Sequence, residues 1–211
     1  VRLVPENQYL LTSYRVKCDN NKIEKEELKN RIRPLTNRKI LGVFRFHLFV
    51  YNLFGGGKER KFKRKISEVV GEAPVLYNEA EMKKNVNQLN NFLIKKAYYY
   101  PEIQEITKFK KNKKAKVTFL IKTGEPYVID KFDYNILDPV ISEFLKADSL
   151  NCLLKKGKPF DSEIMESERQ RIAKLLRNLG YYYFSENLIY YSADTSAGNR
   201  KVNLELLLKD T

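Results

Sequence analysis

Few residues of this chain could do covalent chemistry. The 211-residue sequence holds one histidine, His47, and two cysteines, Cys18 and Cys152. A nucleophile needs a base within hydrogen-bond reach. His47 stands in an aromatic stretch with no carboxylate nearby in sequence to orient it, which fits a core or surface histidine. The cysteines have neither zinc-ligand spacing nor the Cys-x-x-Cys redox pattern. They are expected to be buried thiols acting as small apolar side chains, and a Cys18–Cys152 disulfide would have to cross between the two halves of the chain. Gly55, Gly56, Gly57 and Lys58 suggest a phosphate loop, but that motif needs glycine, four residues, then Gly-Lys-Ser/Thr. Asn52 takes the first position and Glu59 follows Lys58, so the pattern fails twice. Acid pairs such as Glu26 and Glu27 lie among lysines and read as solvated charge. The expectation is a non-enzyme with no metal, no cofactor and no small-molecule substrate.

Binding is better supplied. Lys and Arg number 40 against 26 Asp and Glu, a formal charge of +14. Such an excess invites nucleic acid or an anionic membrane surface. Hydrophobic residues make up 43%, enough for packed cores. No apolar run approaches the roughly 18–20 residues a spanning helix needs, and no signal peptide is visible at Val1. Composition leaves a cytosolic chain and a mature secreted fragment both open. The tyrosine triplets at 98–100 and 181–183 could stack bases. Alternatively, the first tyrosine of each packs on a sheet while its neighbours line the surface, and their fixed place favours this architectural role.

The elements that carry these residues repeat. Residues 78–98 (NEAEMKKNVNQLNNFLIKKAY) align without a gap on 161–181 (DSEIMESERQRIAKLLRNLGY), at a constant offset of 83. In the first copy Met82, Val86, Leu89, Phe92 and Leu93 form one apolar helical face. Asn78 and Asp161 are predicted N-caps, and Glu81 completes a capping box in the first copy only. Gly180 is the expected left-handed helix end of the second copy. Ala97 holds that place in the first, where the conformation costs on the order of 1 kcal/mol, so the first helix is expected to end differently. Each helix precedes two strands, 103–109 and 115–121 in the first copy, 187–193 and 201–208 in the second. The more apolar last strand suits pairing on both sides. Strands at 9–17 and 128–136 and short helices at 22–32 and 138–154 come before. Each unit therefore reads β-α-α-β-β, with a short joint at Gly124, Pro126 and Tyr127.

This order of elements resembles the POTRA domains of the BamA/TamA superfamily of outer-membrane assembly proteins, in a Bacteroidota TamA-like lipoprotein version. The stretches 4–11 (VPENQYLL), 39–52 (KILGVFRFHLFVYN), 124–127 (GEPY) and 176–184 (LRNLGYYYF) carry the likeness, which covers nearly the whole chain. The resemblance implies an α+β fold of two tandem units, residues 1–125 with an insertion at 34–74, and residues 126–211. Each is a three-stranded mixed sheet covered by two helices on one face. It further implies a lipidated, periplasmic region attached to the outer membrane through a following C-terminal barrel. Its partners would be unfolded outer-membrane proteins and other assembly-machinery proteins, with the outer-membrane surface as a further contact and no nucleic acid. The second strand of each unit is implied to be a free edge that takes up client strands. The residues concerned are Ile103, Glu105, Thr107 and Phe109, then Leu188, Tyr190 and Ser192. Ala97 and the long insertion depart from the family pattern.

The insertion joins an apolar, aromatic stretch at 40–54 to a run at 58–65 with six basic residues and one acid. It could pack on its own domain, enter the outer-membrane interface, or dock a partner. Phe44, Phe46, Phe49, Phe54, Lys58, Arg60, Lys61, Lys63 and Arg64 would make a membrane or partner contact. Two other readings of the whole chain stay open: a basic nucleic-acid-binding α/β protein, which lacks an aromatic RNA-binding motif on a strand and a GXXG clamp, and a purely structural spacer.

Overall fold

The structure, a computed structural model, describes residues 4–37, 45–54, 72–196 and 198–209, without the side chains of residues 52 and 54. Backbone proximity divides the chain into two units, residues 1–90 with 102–122 and residues 91–101 with 123–211. The first contains β1 (Leu10–Cys18), α1 (Lys25–Asn30), α2 (Phe46–Phe54), most of α3 (Glu79–Lys95), β2 (Glu102–Lys110) and β3 (Lys114–Lys122). The second contains β4 (Val128–Tyr134), α4 (Pro139–Ala147), α5 (Ser162–Asn178), β5 (Ile189–Asp194) and β6 (Lys201–Leu208). The fold is α+β, with one three-stranded mixed sheet per unit, ordered β1-β3-β2 and β4-β6-β5. The first and last strands of each unit run parallel, and the last two form an antiparallel hairpin.

The apolar last strands take the centre. Ala115, Val117, Phe119 and Ile121 of β3 are buried, as are Val202, Leu204 and Leu206 of β6. Alternation along both strands sends every second residue to the opposite, open face. In the second unit Ile141 and Leu145 of α4 and Ile172 and Leu176 of α5 pack with Ile189 and Leu206. Both helices therefore cover one face of that sheet. Each such buried side chain contributes roughly 1.5–3 kcal/mol.

Helix ends follow the residues, with two corrections. Asn78 Oδ1 accepts from Ala80 N–H at 2.8 Å and Glu81 N–H at 3.3 Å, and Asp161 Oδ1 accepts from Glu163 N–H at 2.8 Å. The expected capping box does not close: the Glu81 carboxylate turns to Lys84 at 2.7 Å. The two long helices also end alike. Tyr98 N–H donates to Leu93 O at 2.9 Å, and Tyr181 N–H donates to Leu176 O at 3.0 Å. This is the Schellman pattern in both copies, so Ala97 is left-handed at φ 72° where Gly180 has 103°. Burial of Ala97 and Tyr98 holds the alanine in that conformation.

Two boundaries move for local reasons. The helix expected over 138–154 stops at Ala147 and passes into a 3-10 turn, Ser149–Asn151, where Asn151 Nδ2 donates to Asp148 Oδ1 at 2.6 Å. The strand expected from 187 begins at Ile189, because Glu186–Leu188 is a 3-10 turn started by Ser185, whose Oγ accepts from Asn187 N–H at 3.3 Å.

Candidate functional site

The sheet edges are the feature able to recognise another chain. Antiparallel alternation gives their direction. Lys209 N–H donates to Leu188 O at 2.8 Å, so residues 188, 190, 192 and 194 turn their backbone groups to β6 through the register of that hairpin. Ile189, Tyr191 and Ala193 therefore present N–H and C=O to the open side. In the first sheet, Leu10 N–H donates to Lys113 O and Asp19 N–H to Ile121 O. The odd-numbered residues of β3 thus face β1 and the even-numbered ones face β2. Ile103, Glu105, Thr107 and Phe109 consequently turn their backbone groups outward. None of these seven residues has a backbone partner on its outer side among the described residues.

The opposite edges are partly taken, by the same device twice. Leu11 N–H donates to Val75 O and Tyr77 N–H to Tyr9 O, both at 2.8 Å. Ile129 N–H donates to Lys158 O and Phe160 N–H to Tyr127 O, both at 2.9 Å. The segment entering each long helix thus closes the start of β1 and of β4, whereas β2 and β5 are uncapped along their whole length among the described residues.

The two open edges differ. On β2, Glu105 and Thr107 share a side-chain hydrogen bond, and Glu105 lies on the covered face, opposite Phe119. An inward charge on an edge strand restrains promiscuous pairing. β5 is uncharged until Asp194 and starts beside a groove of about 600 Å³ whose apolar lining includes Ile136, Leu137, Ile141, Tyr181, Phe184 and Leu188. Tyr190 also lines it. Leu188 and Tyr190 therefore belong to the groove, while Ser192 lies on β5 with its backbone toward β6. The outward frame on β5 is one residue off the sequence choice, because Lys209 N–H takes the Leu188 carbonyl and fixes the hairpin register.

Other sequence-chosen residues fall elsewhere. Phe46 and Phe49 lie on α2, 39% and 49% exposed. Phe54 closes α2, its side chain outside the described residues, as are Phe44, Lys58, Arg60, Lys61, Lys63, Arg64 and the glycines at 55–57. Gly124 is left-handed at φ 66°. Pro126 precedes Tyr127, whose ring meets Tyr99 edge-on at 5.0 Å. Tyr98 is buried and Tyr181 packs against the second core, while Tyr100, Tyr182 and Tyr183 are exposed. Cys152 is buried, Cys18 is half-buried, and both are free. Burial pushes both thiols above the usual range. Among the described residues no cluster of His, Cys, Asp or Glu could hold a metal ion. No helix among them is long and apolar enough to cross a membrane.

Sequence reasoning missed a buried polar cluster in the second unit. Glu168 is fully buried. It accepts from Arg171 Nε at 2.9 Å, Arg171 Nη2 at 2.8 Å and Leu153 N–H at 3.0 Å. Arg171 reaches on to Asp148. Nearby, burial raises the Tyr191 and Tyr134 phenols well above the ordinary range. The signal was present as Glu-x-x-Arg on the core side of α5, but in sequence it looks like an exposed ion pair.

No family model and no curated protein matches the sequence. Among solved structures, the chain is similar to POTRA3-5 of BamA from Haemophilus influenzae, at 14% identity and TM-score 0.45, over 98% of this chain and 69% of that one. It is similar to BamA from Haemophilus ducreyi lacking POTRA domains 1–3, at 14% identity and TM-score 0.46, over 96% of this chain and 30% of that one. POTRA1-2 of the periplasmic domain of Omp85 from Anabaena aligns at 13% identity and TM-score 0.36, over 98% of this chain and 99% of that one.

Proposed function

We propose that this chain is a periplasmic scaffold region of an outer-membrane protein assembly factor, with a binding role and no catalytic one. It takes up extended segments of unfolded β-barrel proteins, and of partner proteins, by strand addition at β5 and, more weakly, at β2. The observation that carries this reading is the set of outward backbone groups at Ile189, Tyr191 and Ala193 beside an apolar groove. Main-chain hydrogen bonds supply affinity without sequence specificity, and a neighbouring pocket selects a side chain. The repeated closure of the β1 and β4 starts supports it, since it leaves β2 and β5 as the edges open from end to end among the described residues. The family motifs in the sequence support the compartment and the class of client. Weak single sites become useful in tandem through effective concentration.

The test is a titration with a peptide from a β-barrel strand, followed by backbone amide shifts. Shifts concentrated on residues 189–193 and 103–109 are expected. Shifts scattered away from both strands would contradict the proposal.

A further inference from the structure

The two sheets share a topology but not a charge. Residues 1–125 contain 28 Lys and Arg against 13 Asp and Glu, whereas 126–211 contain 12 against 13. Register places much of the first unit's excess on the open face of its sheet. Arg15 and Lys17 of β1, Lys114 and Lys116 of β3, and Lys108 and Lys110 of β2 all alternate away from the buried residues. Lys122 on the same face is paired with Glu102 at 3.2 Å. None of the other six has a carboxylate within ion-pair distance among the described residues. The same face of the second sheet carries Lys131 and Lys201 against Asp133, Asp194 and Glu205.

The arrangement works against the sheet's own stability. Lys108 stands directly opposite Lys116, and Lys110 directly opposite Lys114. Like charges in directly opposed positions destabilise an antiparallel pair. A local rule broken twice on one face points to a functional surface; the same face of the second sheet has one like-charge pair, Asp133 beside Glu205, and its sign is opposite. A recess of about 250 Å³ opens where Lys110, Lys114 and Lys116 approach Ser13 and Arg45. The Arg45 guanidinium donates to Thr12 O, and its buried Nε has no acceptor in this structure among the described residues.

We propose that this face docks on an anionic phospholipid surface. A pleated sheet offers its charges in a plane, about 7 Å apart along a strand and about 5 Å across strands. Lysine supplies most of them as compact, hydrated charges on long stems, suited to a diffuse anionic plane rather than to a fixed bidentate site. Among the described residues no aromatic side chain lies on this face to stack a base, which disfavours single-stranded nucleic acid. The proposal is independent of the strand-addition reading, since it uses a sheet face and not an edge.

The test is co-sedimentation of the full chain with phosphatidylcholine vesicles, with and without phosphatidylglycerol, at low salt. The wild type is expected to bind only the anionic vesicles. Arg15→Gln/Lys108→Gln/Lys116→Gln should lose affinity on the order of a hundredfold, at roughly fivefold per residue. Lys131→Gln/Lys174→Gln/Lys201→Gln, with the same charge change in the second unit, should lose less than about threefold because these lysines are not on the proposed face. Lys108→Gln alone should raise thermal stability while weakening binding, so a loss through unfolding is recognisable. Equal losses in the two triple variants, or no phosphatidylglycerol dependence, would overturn the proposal. So would tighter binding of a polyglutamate peptide or a DNA duplex to the same face.

Discussion

Arg171 grips Glu168 at two points, with Nε and Nη2 donating at 2.9 and 2.8 Å to a fully buried carboxylate. The pair spans one turn of α5, and Glu168 also takes the Leu153 N–H. It thereby ties the loop after α4 to α5, beneath the sheet that carries the β5 edge. Replacing Glu168 by Leu leaves the buried Leu153 N–H without its acceptor and Arg171 with Asp148 alone. Chemical denaturation should find a loss of about 3 kcal/mol. The double variant Glu168→Leu/Arg171→Met should lose less than the two single variants added together.

The same cluster sets an acid limit. The Asn151 amide donates to Asp148, and Arg171 adds to that effect, so the Asp148 carboxyl titrates below its ordinary value despite opposing burial. A depressed folded value means that its stabilisation is complete above the unfolded value of about 3.9 and disappears as pH falls through the folded one. Urea midpoints measured across acid pH should fall less steeply for Asp148→Asn than for the wild type below about pH 4.

The helix ends make a matched pair. Gly180 at φ 103° meets nothing within 4 Å of an added Cβ, so Gly180→Ala should cost about 1 kcal/mol from backbone strain alone. Ala97→Gly relieves a similar strain but removes a buried methyl contributing about 0.8 kcal/mol. Its thermal midpoint should stay near the wild-type value.

Much of this architecture is legible in the residues. The constant helix offset, the apolar faces and the apolar last strands lead to two sheets with β3 and β6 at their centres. Ala97 misled, because local propensity forbids what burial of Tyr98 enforces. Ser185 moved the start of β5, and the Lys209–Leu188 bond set the frame of outward backbone groups. That frame depends on which partner takes the Leu188 carbonyl, a non-local hydrogen bond invisible to periodicity. Glu168 and Arg171 resemble a solvated pair until α5 is laid on its sheet. The Lys108–Lys116 and Lys110–Lys114 oppositions likewise appear only once the hairpin register is fixed.

Strand addition at β5 is tested most directly by proline. Proline at an outward-turned position removes an edge donor without removing a ladder bond, a placement edge strands tolerate. Binding of a β-barrel strand peptide should weaken about five- to tenfold for Ala193→Pro, the loss of one hydrogen bond, with the melting transition retained because the Ala193 side chain is exposed. Ser192→Pro, which removes a bond to β6, should instead lower the melting temperature. If calorimetry finds peptide affinity unchanged in folded Ala193→Pro, the β5 edge is not where extended chains bind.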